Sequence, residues 1–257
     1  MRNGLAVVLF LTTSPLFAQS HFDGTWEMKM DTLQFSGPPE DYLFDKGKYH
    51  CESCVPKVDM EIDGTDHKVT GHAYDTLAVR ILDNHSIRFT MKKDGKTTFE
   101  CIETVSPDDR TMMEEFSNTS EAETVTGKAG FTRVGKGPPG SHVLSGKWSM
   151  QTVKNATRAG TLTHYQSMPG GMKISDGSQS YEAKFDSKDY PVSWDPDHST
   201  VSLKLIDEYT MEETDKQDGK VMTVSRATVS RDGKSIQVES VDKLRGGTMT
   251  YTAEKQP

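Results

Sequence analysis

Phe22–Trp26 reads FDGTW, and Leu144–Trp148 reads LSGKW. The pattern apolar, polar, Gly, polar, Trp is thus written twice, 122 residues apart. The surrounding chain repeats with it. DNHSIRFTMKKDGKTTFECIETVS (Asp83–Ser106) lies over DEYTMEETDKQDGKVMTVSRATVS (Asp207–Ser230) at a shift of 124, with nine of 24 positions identical and no gap. DGTDHKV (Asp63–Val69) falls on DSKDYPV (Asp186–Val192) at a shift of 123. The ends match in kind: AGFTRV (Ala129–Val134) against MTYTAE (Met249–Glu254). Solenoid repeats are far shorter, so a period this long means two whole domains. Between them Gly135–Ser141 reads GKGPPGS, whose prolines and glycines resist regular structure. The expected division is a first repeat over 19–137 and a second over 138–257.

Inside each repeat the hydrophobic period is two. Val58, Met60 and Ile62 alternate with polar residues, as do Ile87, Phe89 and Met91, and Val201, Leu203 and Leu205. That pattern marks strands with one wet face. Asp63-Gly64, Asp94-Gly95, Asp218-Gly219 and Asp232-Gly233 are hairpin dipeptides. No mature stretch keeps helical periodicity for three turns. The fold expected is all-β: two tandem antiparallel up-and-down barrel-like units of about 8–10 strands each. A hydrophobic content of 33% suits thin sheets with solvated outer faces.

Gly24 and Trp26 in one repeat, and Gly146 and Trp148 in the other, resemble the Gly-x-Trp opening of the calycin barrels, the lipocalins and fatty-acid-binding proteins. The resemblance implies that each Trp plugs one end of a barrel. It also implies an Arg over that ring, a part that falls to Arg133 in FTRV. The second repeat offers Ala253 at the matching place. Other family marks are absent. There is no lipocalin Thr-Asp-Tyr, and Gly37-Pro38-Pro39 argues against a helical lid over 31–48. The chain also resembles a group of secreted bacterial proteins of unknown function, through YHCESCVP (Tyr49–Pro56) and DKQDGK (Asp215–Lys220).

Arg2 followed by LAVVLFL (Leu5–Leu11) and SPLFAQS has the form of a secretory signal peptide, residues 1–18. Cleavage is expected after Ala18, or after Ser20. The mature chain is then expected in a periplasm or outside the cell, without a membrane span. A net charge of −8 and the lack of basic runs exclude nucleic acid as a partner class.

Cys51 and Cys54 form a Cys-x-x-Cys, which can be a disulfide, half a metal site or a redox pair. An oxidising compartment favours the disulfide. A metal set would need His50 and Cys101 brought to the pair; none is expected. Cys101 reads as a small buried residue or an intermolecular bridge. Glu114-Glu115 and Glu212-Glu213 are adjacent acids, expected to be solvated and not a catalytic dyad, because strand neighbours face opposite ways. No nucleophile motif, phosphate loop or cofactor signature is present. The reading is a non-catalytic protein, binding a small partly apolar ligand in a barrel interior. Met60, Met91, Met112 and Met113 are candidates for lining or for core. The alternative is an envelope interaction protein with filled barrels that presents loops to a macromolecule.

Overall fold

The computed structural model describes residues 20–120, 123–177, 179–193 and 198–257; the expected signal peptide lies outside them. In the first repeat the strands are β1 (Gly24–Met28), β2 (Gln34–Ser36), β3 (Glu40–Asp45), β4 (Lys48–Cys51), β5 (Val58–Glu61), β6 (His67–Lys68), β7 (Thr76–Ile81), β8 (Ser86–Lys93), β9 (Lys96–Val105), β10 (Thr111–Asn118) and β11 (Val125–Lys136). In the second they are β12 (Gly146–Lys154), β13 (Leu162–Met168), β14 (Gly171–Asp176), β15 (Ser180–Lys184), β16 (Tyr190–Pro191), β17 (Ser199–Asp207), β18 (Thr210–Gln217), β19 (Lys220–Val229), β20 (Ser235–Asp242) and β21 (Thr248–Lys255). Among the described residues, helix is confined to the 3-10 turns Met30–Thr32 and Arg158–Thr161, so no lid and no membrane-crossing helix occurs among them.

The strands form two nearly closed antiparallel barrels. One sheet runs β5-β4-β3-β12-β11-β10-β9-β8-β7-β6. The other runs β15-β14-β13-β1-β21-β20-β19-β18-β17-β16, with β2 added against β21. The order is the same in both. The seam also falls at the same place, between β5 and β6 and between β15 and β16. At the second seam Ser193 N–H donates to the Ser180 carbonyl at 2.9 Å, so the gap is narrow. The Asp94-Gly95 and Asp218-Gly219 tips occupy equivalent positions, and all four residues have positive φ, as a two-residue hairpin of this hand requires.

The barrels do not divide where the repeats divide. Strand β1, the FDGTW strand, sits in the second barrel between β13 and β21. Strand β12, the LSGKW strand, sits in the first between β3 and β11. Each repeat has given its opening strand to the other. The boundary drawn near residue 138 therefore cuts through the first barrel, and GKGPPGS is a hairpin loop within it. β12 follows β11 and folds back on it, from Lys136 paired with Gly146 to Lys128 paired with Lys154. The slot left between β13 and β21 takes β1. The first barrel is thus continuous from Glu40 to Lys154, and the second is assembled from both ends of the chain.

Each barrel has its own core. Phe44, Tyr49, Leu77, Ile87, Phe89, Met112, Leu144 and Trp148 pack in the first. Phe22, Trp26, Met172, Ile174, Val201, Leu203, Met211 and Ile236 pack in the second. Across the two, Arg245 donates to Glu40 Oε1 at 2.6 Å and to the Pro39 carbonyl at 2.9 Å, fastening the segment that leads into β3.

Candidate functional site

Four of the five positions of the repeated motif have the same structural use in both copies or tie the motif to a neighbouring strand. Phe22 and Leu144 are fully buried, and their carbonyls accept the indole N–H of Trp26 at 2.7 Å and of Trp148 at 2.9 Å. Asp23 accepts from the Ser167 hydroxyl at 2.7 Å, tying β1 to β13. Ser145 Oγ accepts from the Phe44 N–H at 2.9 Å, tying the start of β12 to β3. Gly24 and Gly146 have φ of +127° and +126°. A Cβ at Gly146 would stand 2.3 Å from the Gly135 carbonyl oxygen, so glycine is required there. Both tryptophans are buried, but each in the core of the other repeat's barrel.

Arg133 lies over Trp148, with its guanidinium carbon 3.9 Å from the ring centroid. It donates to the carbonyls of Asp109 at 2.6 Å and Ser145 at 2.8 Å, so the cation over the buried ring is also hydrogen-bonded. It does not touch Trp26, the ring of its own repeat. The ladder pairs Arg133 with Trp148 and Lys255 with Trp26. The counterpart of Arg133 is therefore Lys255, whose Nζ lies 5.2 Å from the Trp26 centroid, and not Ala253. The two terminal strands match at the 122-residue shift of the tryptophans, which their residue types alone did not show.

Cys51 and Cys54 are bonded, with an S–S distance of 2.04 Å. The turn between them is anchored to β3: Glu52 N–H donates to the Asp41 carbonyl at 3.0 Å, and Ser53 Oγ donates to Glu40 Oε2 at 2.9 Å. His50 pairs with Asp59 at 2.9 Å and faces away from the bond. The closed loop is small, so the bond removes little unfolded-state entropy. The double substitution Cys51→Ser with Cys54→Ser should cost about 2 kcal/mol or less and lower the melting temperature by a few degrees. Three reactive thiols in the native oxidised protein would contradict this arrangement.

The interior of the second barrel holds a cavity of about 230 Å³. It is lined by Tyr165, Tyr181 and Tyr251, by Asp176, Glu213 and Asp215, and by apolar side chains that include Ile174, Met211 and Val238. Among the described residues, no basic side chain lines it. Glu213 belongs to the acid pair expected to be solvated. The alternation of β18 sends Glu212 outward, where Arg226 meets it at 2.9 Å, and Glu213 inward, where Tyr181 donates to it. Asp215 is next on the same inner face. Burial, followed by repulsion from Asp215, pushes the Glu213 carboxyl well above the usual range. Burial also pushes Asp215 up to about 6, with the Asp176 charge adding to the rise. Burial raises all three tyrosine hydroxyls, so they remain protonated donors.

The first barrel resolves the other acid pair in the same way. Glu115 faces out and pairs with Lys128; Glu114 faces in. Glu114 lies directly across the ladder from Glu103, which is 3% exposed, and Cys101 is on the same inner face. Cys101 is a free thiol, 4% exposed, as the small-residue reading expects. Met60 and Met112 fill this core, Met91 packs against it and Met113 is exposed. The methionines therefore do not line the interior cavity of the second barrel. Asp176, Glu213, Asp215, Glu103 and Glu114 were missed because strand alternation gives the period of a strand but not which face is dry. Each reads from sequence as an ordinary polar position.

The carboxylates of the second barrel make stability depend on pH in an unusual direction. Between about pH 4 and pH 6 the folded protein keeps a proton on the Glu213–Asp215 pair that the unfolded chain has released. Stability attached to this pair is thus fully present at low pH and is lost as pH rises through the folded values. The slope is about 1.4 kcal/mol per pH unit for each retained proton, or roughly 3 kcal/mol across the window for Asp215. Denaturant midpoints at pH 5 and pH 8 measure it. Asp215→Asn should flatten the difference, and an unchanged difference would show that the pair is solvated.

The chain matches no protein-family model and no curated protein.

Proposed function

We propose that the second barrel is a binding site for a small organic cation, an amine on a short apolar or aromatic skeleton. The protein acts as a non-catalytic receptor or carrier outside the cytoplasm. The observation that carries this reading is the lining of the 230 Å³ cavity: three carboxylates, three tyrosine rings and an apolar wall, without a basic side chain among the described residues. A carboxylate drawn inside without a partner cation is costly, and a bound ammonium relieves that cost. Tyrosine faces add cation–π attraction. The volume, about eight water volumes, restricts the ligand to a small one. The signal-like start and the Cys51–Cys54 bond support placement in an oxidising compartment.

Calorimetry with phenethylamine, 2-phenylethanol and phenylacetate varies charge on one skeleton. The amine should bind best and the acid worst. Amine affinity should rise from pH 5 to pH 8 as the Glu213–Asp215 pair gives up its proton, and Asp215→Asn should weaken it about tenfold or more. Equal binding of all three probes would remove the charge argument. Binding of none would return the protein to the interaction reading, with filled barrels and exposed loops.

A further inference from the structure

We propose that Cys101, Glu103 and Glu114 form a site for a thiophilic divalent cation, zinc by its donor set, inside the first barrel. One donor atom from each residue lies within 4.8 Å of the others. Metal–ligand bonds of about 2.0–2.3 Å in a tetrahedral array need donors about 3.5 Å apart. Rotation of the two glutamate side chains covers that difference.

A second observation points to a ligand there. Glu103 is 3% exposed, yet its Oε2 has no hydrogen-bond partner among the described residues. A buried polar atom without a partner is rare and calls for a physical cause. The charged groups acting on Glu103 are Glu114 and Glu40, both acids. Glu40 is itself committed to Arg245 and Ser53. The cluster thus has two carboxylates and a thiol facing one another, with no cation of the protein's own among the described residues.

The second barrel shows that the fold does not need this set. It builds the same sheet, and the positions that correspond to Cys101, Glu103 and Glu114 hold Ser225, Ala227 and Val238. One thiol and two carboxylates suit zinc and its neighbours over calcium or magnesium, which take oxygen alone. Three protein donors leave a fourth position. Glu114, half-buried, is the side from which an ion or water would enter. Binding displaces the protons of the Cys101 thiol and of the Glu103 and Glu114 carboxyls to solvent.

The test uses the full mature chain with its disulfide intact, stripped by chelator and titrated with Co²⁺ and then Zn²⁺. One Co²⁺ should bind per chain with a thiolate-to-cobalt charge-transfer band, and Zn²⁺ should displace it mole for mole. Excess Ca²⁺ or Mg²⁺ should not. Cys101→Ser should abolish the band and weaken Zn²⁺ binding 100-fold or more; the fold accepts serine there, since Ser225 stands at the same place in the second barrel. Glu114→Gln should weaken binding while keeping the band. Cys51→Ser with Cys54→Ser should change neither. No stoichiometric uptake by the wild-type chain overturns the site, as does a band that survives Cys101→Ser.

Discussion

A fragment spanning residues 37–156 should fold alone, and one spanning 157–257 should not. The first contains every strand of the first barrel, β3 to β12, in one continuous piece. The second holds β13 to β21 but lacks β1, so the slot between β13 and β21 is empty. Two rows of ladder groups then lose their partners. The fragment also lacks Phe22 and Trp26, both essentially fully buried. Aromatic side chains bury about 150–250 Å² each, worth about 4–6 kcal/mol apiece at 25 cal/mol per Å². Two of them approach the whole stability of an ordinary domain, about 5–15 kcal/mol. A peptide of residues 20–36 added to the 157–257 fragment should restore cooperative unfolding, followed by near-ultraviolet circular dichroism. Cooperative folding of 157–257 alone would show that the second barrel does not need β1.

Trp148→Ala should destabilise the first barrel by about 3–5 kcal/mol and leave the second barrel nearly untouched, although Trp148 belongs to the second repeat. The side chain is fully buried among first-barrel residues. Its loss opens a cavity and strips the ring from beneath the Arg133 guanidinium. Cys101 gives a local readout, because its buried thiol reacts only when the first barrel opens. At 1.4 kcal/mol per tenfold, its labelling should accelerate by roughly two to three and a half orders of magnitude. Trp26→Ala should act on the second barrel and barely change Cys101 labelling. The opposite assignment of the two effects would place each Trp in the barrel of its own repeat.

The sequence by itself determined the class of the fold. Alternation in Val58–Ile62 and Ile87–Met91, the Asp-Gly hairpins, and the duplicated FDGTW and LSGKW required two equivalent antiparallel barrels. These signals are local, since a strand's period and a turn's φ are fixed by neighbouring residues. The Cys51–Cys54 bond was legible for the same reason, with only two residues between the sulfurs. Partner choice among strands was not legible. β12 carries a motif suited to either barrel and is joined by short connections to both β11 and β13, so locality does not choose. Only the assembled sheet, which pairs it with β11 and β3 and lays Trp148 under Arg133, fixes its place. The interior chemistry was hidden for a related reason. Glu103, Glu114, Glu213 and Asp215 share their strands with outward charges such as Glu115 and Glu212. Only closure of each sheet into a barrel decided which of two alternating faces would be taken out of water.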